Sequence, residues 1–481
     1  MRISRPAGIL LRDTGAVLGL QTGADPTVLT GSFDVQAYAT SRGFGTIPAE
    51  TGPTQEPIAD QGAVGNGTAD DTAEVQAAMN ALPPTGGVLD LSQGIFGINA
   101  VNDVLSIGDK SNITIKGGGW SNGVAQNIGL KVLSATTADR NDSVIRYQPG
   151  GNNLNLVIRD LEIDVGNNDI GGIAIQNDEN TWIINTYVHN VGTGTQGPNA
   201  AIRGNNGHDK LRVIGCLVHD TTAAATSAVR GIWMAEDGST DSVIGHCIVF
   251  DTGHTGIPYH LPQTTPGSFV EFCTTVRCGT AVGAAGIKGE LSNQVNPATF
   301  DFGDGSSPAA MTFLGTFRRN YMTTQKSITG QFDSAMQVDT MNCLIEENMM
   351  VDAQDGISTF NRFRKIVIRN NVFQLIDQEG LNLDADNSGD DKTGVFIQNN
   401  DISRDGRSMQ YGIFYFDWNG AIFDFNDPIQ QTDNKIVDAT TSPVLVTNDV
   451  LNYVNFSQSN NGPGGSGAQN VLLPPSYIGS L

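Results

Sequence analysis

The chain is short of positive charge and of cysteine. Among its 481 residues, 27 Lys and Arg stand against 50 Asp and Glu, a formal net charge of −23. A surface so acidic repels phosphate backbones and anionic headgroups, which argues against nucleic-acid and anionic-membrane binding. Five Cys are too few, and odd in number, for a disulfide scaffold, and read as free thiols. Charged residues amount to only 16% and hydrophobic ones to 39%, which is too apolar for a disordered chain. No run approaches the ~20 apolar residues of a membrane span. Near the start, only Ala7 to Leu11 is continuously apolar before Arg12 and Asp13 interrupt. A secretory core needs about 7–15 such residues, so no signal peptide is expected. Asparagine is missing from the N-terminal region, its first occurrence being Asn66, and is abundant afterwards.

What is present is a repeat. A small residue, an apolar residue and then alternation recur as GIAIQ (172–176), AIRGN (201–205), GIWMA (231–235), GIPYH (256–260), GIKGE (286–290), AMQVD (335–339), GISTF (356–360), GLNLD (380–384) and GIFYF (412–416). A second series is centred on Ile158, Ile184, Ile214, Ile244, Phe272, Phe317, Ile345, Ile368 and Ile397, and most steps in either series are 21–32 residues. Short β-branched alternating runs bounded by Gly, Asn and Asp are strands. Two or three of them per repeat of this length predict a right-handed, single-stranded parallel β-helix of about ten coils, each stacked on the last at about 4.8 Å. Asn320, Asn348, Asn371 and Asn400 each lie three residues after their series member, so their amides are expected to form a ladder. Residues 70–82 read as a capping helix with Val75, Met79 and Leu82 on one face, Asp70 or Asp71 at its start and Pro83-Pro84 after it. The chain thus divides into residues 1–55, a cap or attachment segment ending in a proline-bearing linker, 56–455, the β-helix, and 456–481, a Gly-rich linker with an apolar C-terminal peptide.

Residues 60–98, DQGAVGNGTADDTAEVQAAMNALPPTGGVLDLSQGIFGI, resemble the opening signature of the pectate-lyase-like β-helix superfamily. On that resemblance the cap helix, Gly62, Gly65 and the Asp70-Asp71 pair are fold elements, and no Lys-Ser/Thr follows to make a phosphate loop. The superfamily includes polysaccharide lyases, glycoside hydrolases, mannuronan epimerases and bacteriophage tailspikes, and fold alone does not choose among them. The Tyr-Gly-Phe-Asp-Pro-His stretch expected of the epimerases does not occur; Ile257-Pro-Tyr-His260 is the nearest string.

Alternation defines an outward face. One column runs Ala174, Arg203, Trp233, Pro258, Lys288, Gln337, Ser358, Asn382, Phe414; a second runs Gln176, Asn205, Ala235, His260, Glu290, Asp339, Phe360, Asp384, Phe416. His260, Glu290 and Asp339 fall on successive rungs, with Lys288 beside Glu290. Carboxylates about 4.8 Å apart are not both freely ionised, so one of Glu290 and Asp339 is expected to have a raised pKa and serve as the acid of a glycoside-cleaving pair. Alternatively Lys288 or His260 removes the C5 proton of a uronic acid, giving β-elimination, with Arg203 neutralising the sugar carboxylate. Trp233 offers a stacking platform, and Asn205 and Gln337 complete the substrate-binding set. An insertion at 292–311 is expected to overhang the pair.

No metal is expected. The six His, all between His189 and His260, show no tight ligand spacing. Calcium is conceivable at Asp384–Asp391, whose oxygen ligands alternate up to Gly389, although Val395 stands where a calcium loop needs its last Glu. The leading expectation is a tailspike-like virion protein, homotrimeric, bound to other virion proteins through residues 1–55, that binds and depolymerises host surface polysaccharide. The alternatives are an extracellular bacterial lyase or hydrolase, and a non-catalytic structural or receptor-binding spike.

Overall fold

A computed structural model describes residues 34–459 except for connecting segments, among them 292–310, 386–394 and 418–428; beyond that range only 9–10, 17–19, 27–29 and 471–472 are described. The chain is all-β, with three long parallel sheets of 13, 13 and 14 strands. This is a right-handed parallel β-helix with 12 to 13 rungs, not the ten expected. The additional rungs carry strands that lack the small–apolar signature, such as Leu105–Ser106, Ser143–Tyr147 and Ser442–Val446. Residue contacts divide the chain into two units, Met1–Ile202 with His208–Val218 and Ile244–Ile248, and Arg203–Gly207 with His219–Val243 and Val249–Leu481.

The first unit contains the cap. Thr72–Ala81 is helical, and Val75, Met79 and Leu82 are buried as the periodicity predicts. Its start differs from a simple side-chain cap. Asp71 occupies the N-cap position, but its carboxylate accepts from the backbone N–H groups of Val64 (2.6 Å) and Gly65 (3.1 Å), pinning the preceding loop. Asp70 instead accepts from the Thr72 N–H at 3.1 Å. In the same unit a short helix, Val35–Ser41, sets Tyr38 edge-on to His246 at 4.5 Å, and Arg212 lies 4.9 Å from the ring of Phe44. Tyr38 and Phe44 therefore pack on this unit.

The second unit shows why the repeat reads as it does. The small residue of the signature marks close backbone approach: a Cβ on Gly231 would stand 2.5 Å from the Gly256 carbonyl oxygen, nearer than any real side chain tolerates. The apolar residue that follows, Ile232, Ile257, Ile287, Met336, Ile357, Leu381 or Ile413, is fully buried. The amide ladder is present: Asn320, Asn348 and Asn371 each donate from Nδ2 to the Oδ1 of the next rung at 3.0 Å, and Asn400 continues to Asn434 at 2.8 Å. Each Nδ2 also donates to a backbone carbonyl, so these buried amides are satisfied, as a low-dielectric interior requires. The residue before each ladder member, Arg319, Glu347, Asn370 or Asn399, has φ between 53° and 56°. That tight left-handed turn aims the next side chain inward. Two registers differ from expectation: Ile158 pairs with Ile183 rather than Ile184, and Val270, not Phe272, pairs with Phe317, with Phe272 in the left-handed turn position at φ 55°.

All five Cys are buried free thiols. Among the described residues no helix is long and apolar enough to cross a membrane.

Candidate functional site

The expected columns are in register. Strand Ile257–Leu261 pairs with Ile287–Leu291 so that His260 faces Glu290, and Ile287–Leu291 pairs with Ser334–Met341 so that Glu290 faces Asp339 and Lys288 faces Gln337. Neighbouring members are therefore about 4.8 Å apart at Cα. His260, Lys288 and Glu290 are part-exposed, at 14, 19 and 25%. Gln337 and Asp339 are likewise part-exposed.

These side chains form a cluster around one carboxylate. Glu290 Oε2 lies 2.5 Å from His260 Nε2, and its other oxygen is held by Lys288 Nζ. Burial works to raise the Glu290 carboxyl, but the hydrogen bond from His260 and the charge of Lys288 outweigh it and hold the group down at about 2. The expected rise therefore does not fall on Glu290. Stacked carboxylates repel only while nothing neutral or cationic intervenes, and here two basic side chains do. Glu290 is therefore held ionised near neutrality.

Two of the substrate-binding expectations meet a different environment. Trp233 is only 8% exposed, with the guanidinium carbons of Arg230 and Arg203 at 4.4 and 4.8 Å from its ring centroid. It is a buried ring among cations, not an open sugar platform. Its indole Nε1 has no hydrogen-bond partner, and its ring meets His260 edge-on at 5.8 Å. Arg203, at 7% exposure, is likewise covered and does not reach out to a substrate carboxylate. Asn205 ends the strand Ala200–Asn205, and its side chain lies outside the described residues. So do residues 292–310 of the insertion, although its end, Met311, is buried with Leu344, Val367 and Phe396. The acidic turn beyond Ala385 is outside the described residues as well.

Sequence reasoning missed His254. Burial first, and then the charges of Arg230 and Lys288, push this imidazole down to about 4 against the opposing pull of Glu290. The Thr255 N–H donates to its Nδ1 at 2.7 Å, so the neutral ring carries its proton on Nε2. The signal was only its position, three residues ahead of the strand bearing His260. Two other His make local contacts: His189 stacks on Tyr187 at 4.3 Å and bonds Glu162 at 3.1 Å, and His219 stacks on Phe250 at 4.5 Å; His208 lies outside the described residues. Among the described residues no three His, Cys, Asp or Glu side chains group as metal ligands.

No family model and no curated protein matches the chain. Solved structures do. The Azotobacter vinelandii mannuronan C-5 epimerase AlgE4 A-module superposes with TM-score 0.59 at 15% identity, over 85% of this chain and 100% of that one. The AlgE6 A-module of the same organism gives 0.53 at 13%, over 88% and 99%. The N-terminal fragment of bacteriophage phi29 gene product 12 gives 0.57 at 14%, over 85% and 70%. The chain shares with these structures the fold of a right-handed parallel β-helix.

Proposed function

We propose that this chain is a tailspike-like polysaccharide-binding protein that cleaves its glycan by β-elimination at the His260–Lys288–Glu290–Asp339 face. The reading rests on one observation, the Glu290 carboxylate clamped between His260 and Lys288. A carboxylate on Nε2 fixes the imidazole's orientation, and the proposed reaction uses Nδ1 as the base. His260 Nδ1 takes the C5 proton of a uronic acid. The electron pair forms the C4–C5 double bond, the C4–O bond breaks, and the departing oxygen takes a proton from the Lys288 ammonium. Asp339 and Gln337 hold sugar hydroxyls. Hydrolysis by a Glu290 proton donor fits less well, because Glu290 is ionised down to about 2. In the proposed virion setting the chain is a homotrimer attached to other virion proteins through residues 1–55.

The test is incubation of the full-length protein with uronate-containing capsular polysaccharides. Ultraviolet absorbance of an unsaturated product is expected, falling about 100-fold or more in His260→Ala. New reducing ends without absorbance would replace elimination by hydrolysis. Binding with no product would leave a receptor-binding spike, and full activity in both His260→Ala and Lys288→Ala would remove the site altogether.

A further inference from the structure

The outward column that carries Lys288 continues without a break toward the C-terminal coils. Lys288 pairs with Gln337, Gln337 with Ser358, Ser358 with Asn382, and Asn382 with Phe414. All five belong to the second unit. In the other direction Met234 pairs with Tyr259 and Pro258 with Lys288, so Trp233 stands two rungs before Lys288. The column therefore has an aromatic residue on either side of the candidate cluster, and their surroundings differ. Trp233 is closed in at 8% exposure against two guanidinium groups. Phe414 is part-exposed, and so is Tyr411, whose ring stacks on it at 4.9 Å with the planes 16° apart.

Tyr411 opens the strand Tyr411–Asp417 in the position that Asp355 and Glu379 hold on the two preceding rungs. Tyr411 pairs with Glu379, and the Glu379 N–H donates to Asp355 Oδ1 at 3.3 Å. Those two carboxyls are covered, at 0 and 8% exposure, so of the three only Tyr411 meets solvent in part. The column members between Lys288 and Phe414 are all polar. Gln337 and Asn382 are part-exposed amides, and Ser358 is small and covered, its hydroxyl bonded to that of Ser334. Amides supply both donors and acceptors to hydroxyl groups, and stacked rings supply a flat apolar surface. A pyranose ring has a rim of hydroxyls and an apolar C–H face, which this order of side chains matches. Four rung steps of about 4.8 Å place Phe414 about 19 Å from Lys288. One step is close to the length of one sugar residue, so a chain lying along the column with one sugar at Lys288 brings a ring about four residues further on to Phe414.

We infer that the glycan runs from the His260–Lys288–Glu290 cluster toward the C-terminal coils, and that Phe414 with Tyr411 forms a remote subsite on which one of its sugar rings stacks. This rests on the saccharide-binding part of the reading above and not on the elimination step. A contact so far from the reacting bond holds ground state and transition state alike, so the subsite sets affinity and the chain length recognised, not the rate of bond breaking.

The experiment uses the full-length protein, the uronate-containing capsular polysaccharide that it binds, and oligosaccharides made from that polymer by partial acid hydrolysis, sized from disaccharide to decasaccharide. Calorimetric titration is done in the His260→Ala background, so that cleavage does not consume the ligand. Affinity is expected to rise with length and to level off once about five residues are reached. Phe414→Leu and Tyr411→Leu keep apolar volume but lose the flat ring. Each should bind the polymer and the long oligosaccharides about tenfold more weakly and the disaccharide unchanged. With His260 present, both should raise KM and leave kcat as it is. Circular dichroism reports the fold, and if Phe414→Leu does not fold, Tyr411→Leu decides. Undiminished affinity for long oligosaccharides in the folded variants overturns the subsite and leaves the reaction standing. An equal loss for the disaccharide overturns it too, because the effect is then not that of a remote contact. A fall in solution mass with glycan affinity unchanged overturns it in favour of a contact between protein chains. Length-dependent binding without any product overturns elimination and leaves the subsite, and absence of binding to every polysaccharide removes both.

Discussion

Glu290 and the Asp355–Glu379 pair belong to one sheet of one unit, yet their carboxyls are driven in opposite directions. Burial pushes all three up. At Glu290 two basic neighbours reverse it and the group is held at about 2. At Asp355 the neighbour is another acid, and the shift stays upward. The backbone environment is nearly the same, a rung about 4.8 Å from the next. What differs is which side chain the register places across the gap. Environments that force two carboxyls apart in this way are what allow one scaffold to hold a permanent anion and a proton-binding pair.

The largest expected effect comes from removing the cations at Glu290. A double change, Lys288→Met with His260→Phe, leaves a mostly covered carboxylate without compensation. Loss of one side of a buried pair costs about 3–5 kcal/mol, partly relieved here by the exposure of Glu290, and its carboxyl should move up toward the behaviour of Asp355. Denaturant unfolding at neutral pH checks the first outcome and carboxyl titration by NMR the second. If stability is unchanged, the contrast between the two clusters is not electrostatic.

Next comes the pH dependence. Glu290 is lowered on folding, so its contribution is fully present above the unfolded value near 4.5 and is lost as pH falls toward about 2. Over that window it amounts to on the order of 3 kcal/mol. Asp355 and Glu379 are raised, so the sign reverses: their contribution is present below the unfolded carboxyl range and is lost as pH rises through the folded values. Unfolding free energies measured from about pH 2 to 8 should show Glu290→Gln losing the acid-side slope and Glu379→Gln losing the opposite one. Identical pH profiles for the two variants would break the comparison.

How much of this was legible follows from the same physics. Alternation fixes which residues share a rung, so His260, Glu290, Asp339 and the Lys288–Gln337 pair could be aligned from apolar spacing alone. The Asn ladder was legible because a constant offset from an apolar strand is a strong constraint on a solenoid. Covering of the outward face was not legible. Whether Trp233, Arg203 or Ser358 reaches solvent depends on connections between rungs, which carry no periodicity. The ionisation of Glu290 was misjudged because only its acidic neighbour on the next rung was weighed, and its own strand's Lys288 and the preceding His260 decide the outcome. Asp355 and Glu379 had a signal that went unused: Asp-Gly-Ile, Glu-Gly-Leu and Tyr411-Gly-Ile stand at one phase of consecutive coils. An acid ahead of a strand looks like an ordinary turn residue until its partner on the next rung is counted.

A smaller effect is expected at the acidic pair itself. Asp355→Asn removes one titrating group while keeping size and hydrogen-bonding reach. Near neutral pH this should stabilise the fold by on the order of 1 kcal/mol, because a buried polar pair is retained without its surplus charge. At acid pH, below the raised folded values of the pair, the difference should vanish because the wild-type carboxyls are protonated. Chemical denaturation at the two pH values measures it, and destabilisation at neutral pH would show that the carboxyl makes contacts an amide does not replace.

The smallest effect is expected at Trp233. Its ring touches two guanidinium groups and the edge of His260, and its Nε1 has no partner to lose. Trp233→Phe keeps an aromatic face for the cations, so stability should fall by less than about 1 kcal/mol, and saccharide affinity should change less than twofold. Truncation to Ala, which also opens a cavity beside Arg203, should cost about 3–5 kcal/mol. Comparing the two by saccharide titration separates a packing residue from a binding one. A large affinity loss in Trp233→Phe with unchanged stability would mean that the ring meets sugar after all, and that the cations around it are part of the binding face rather than its cover.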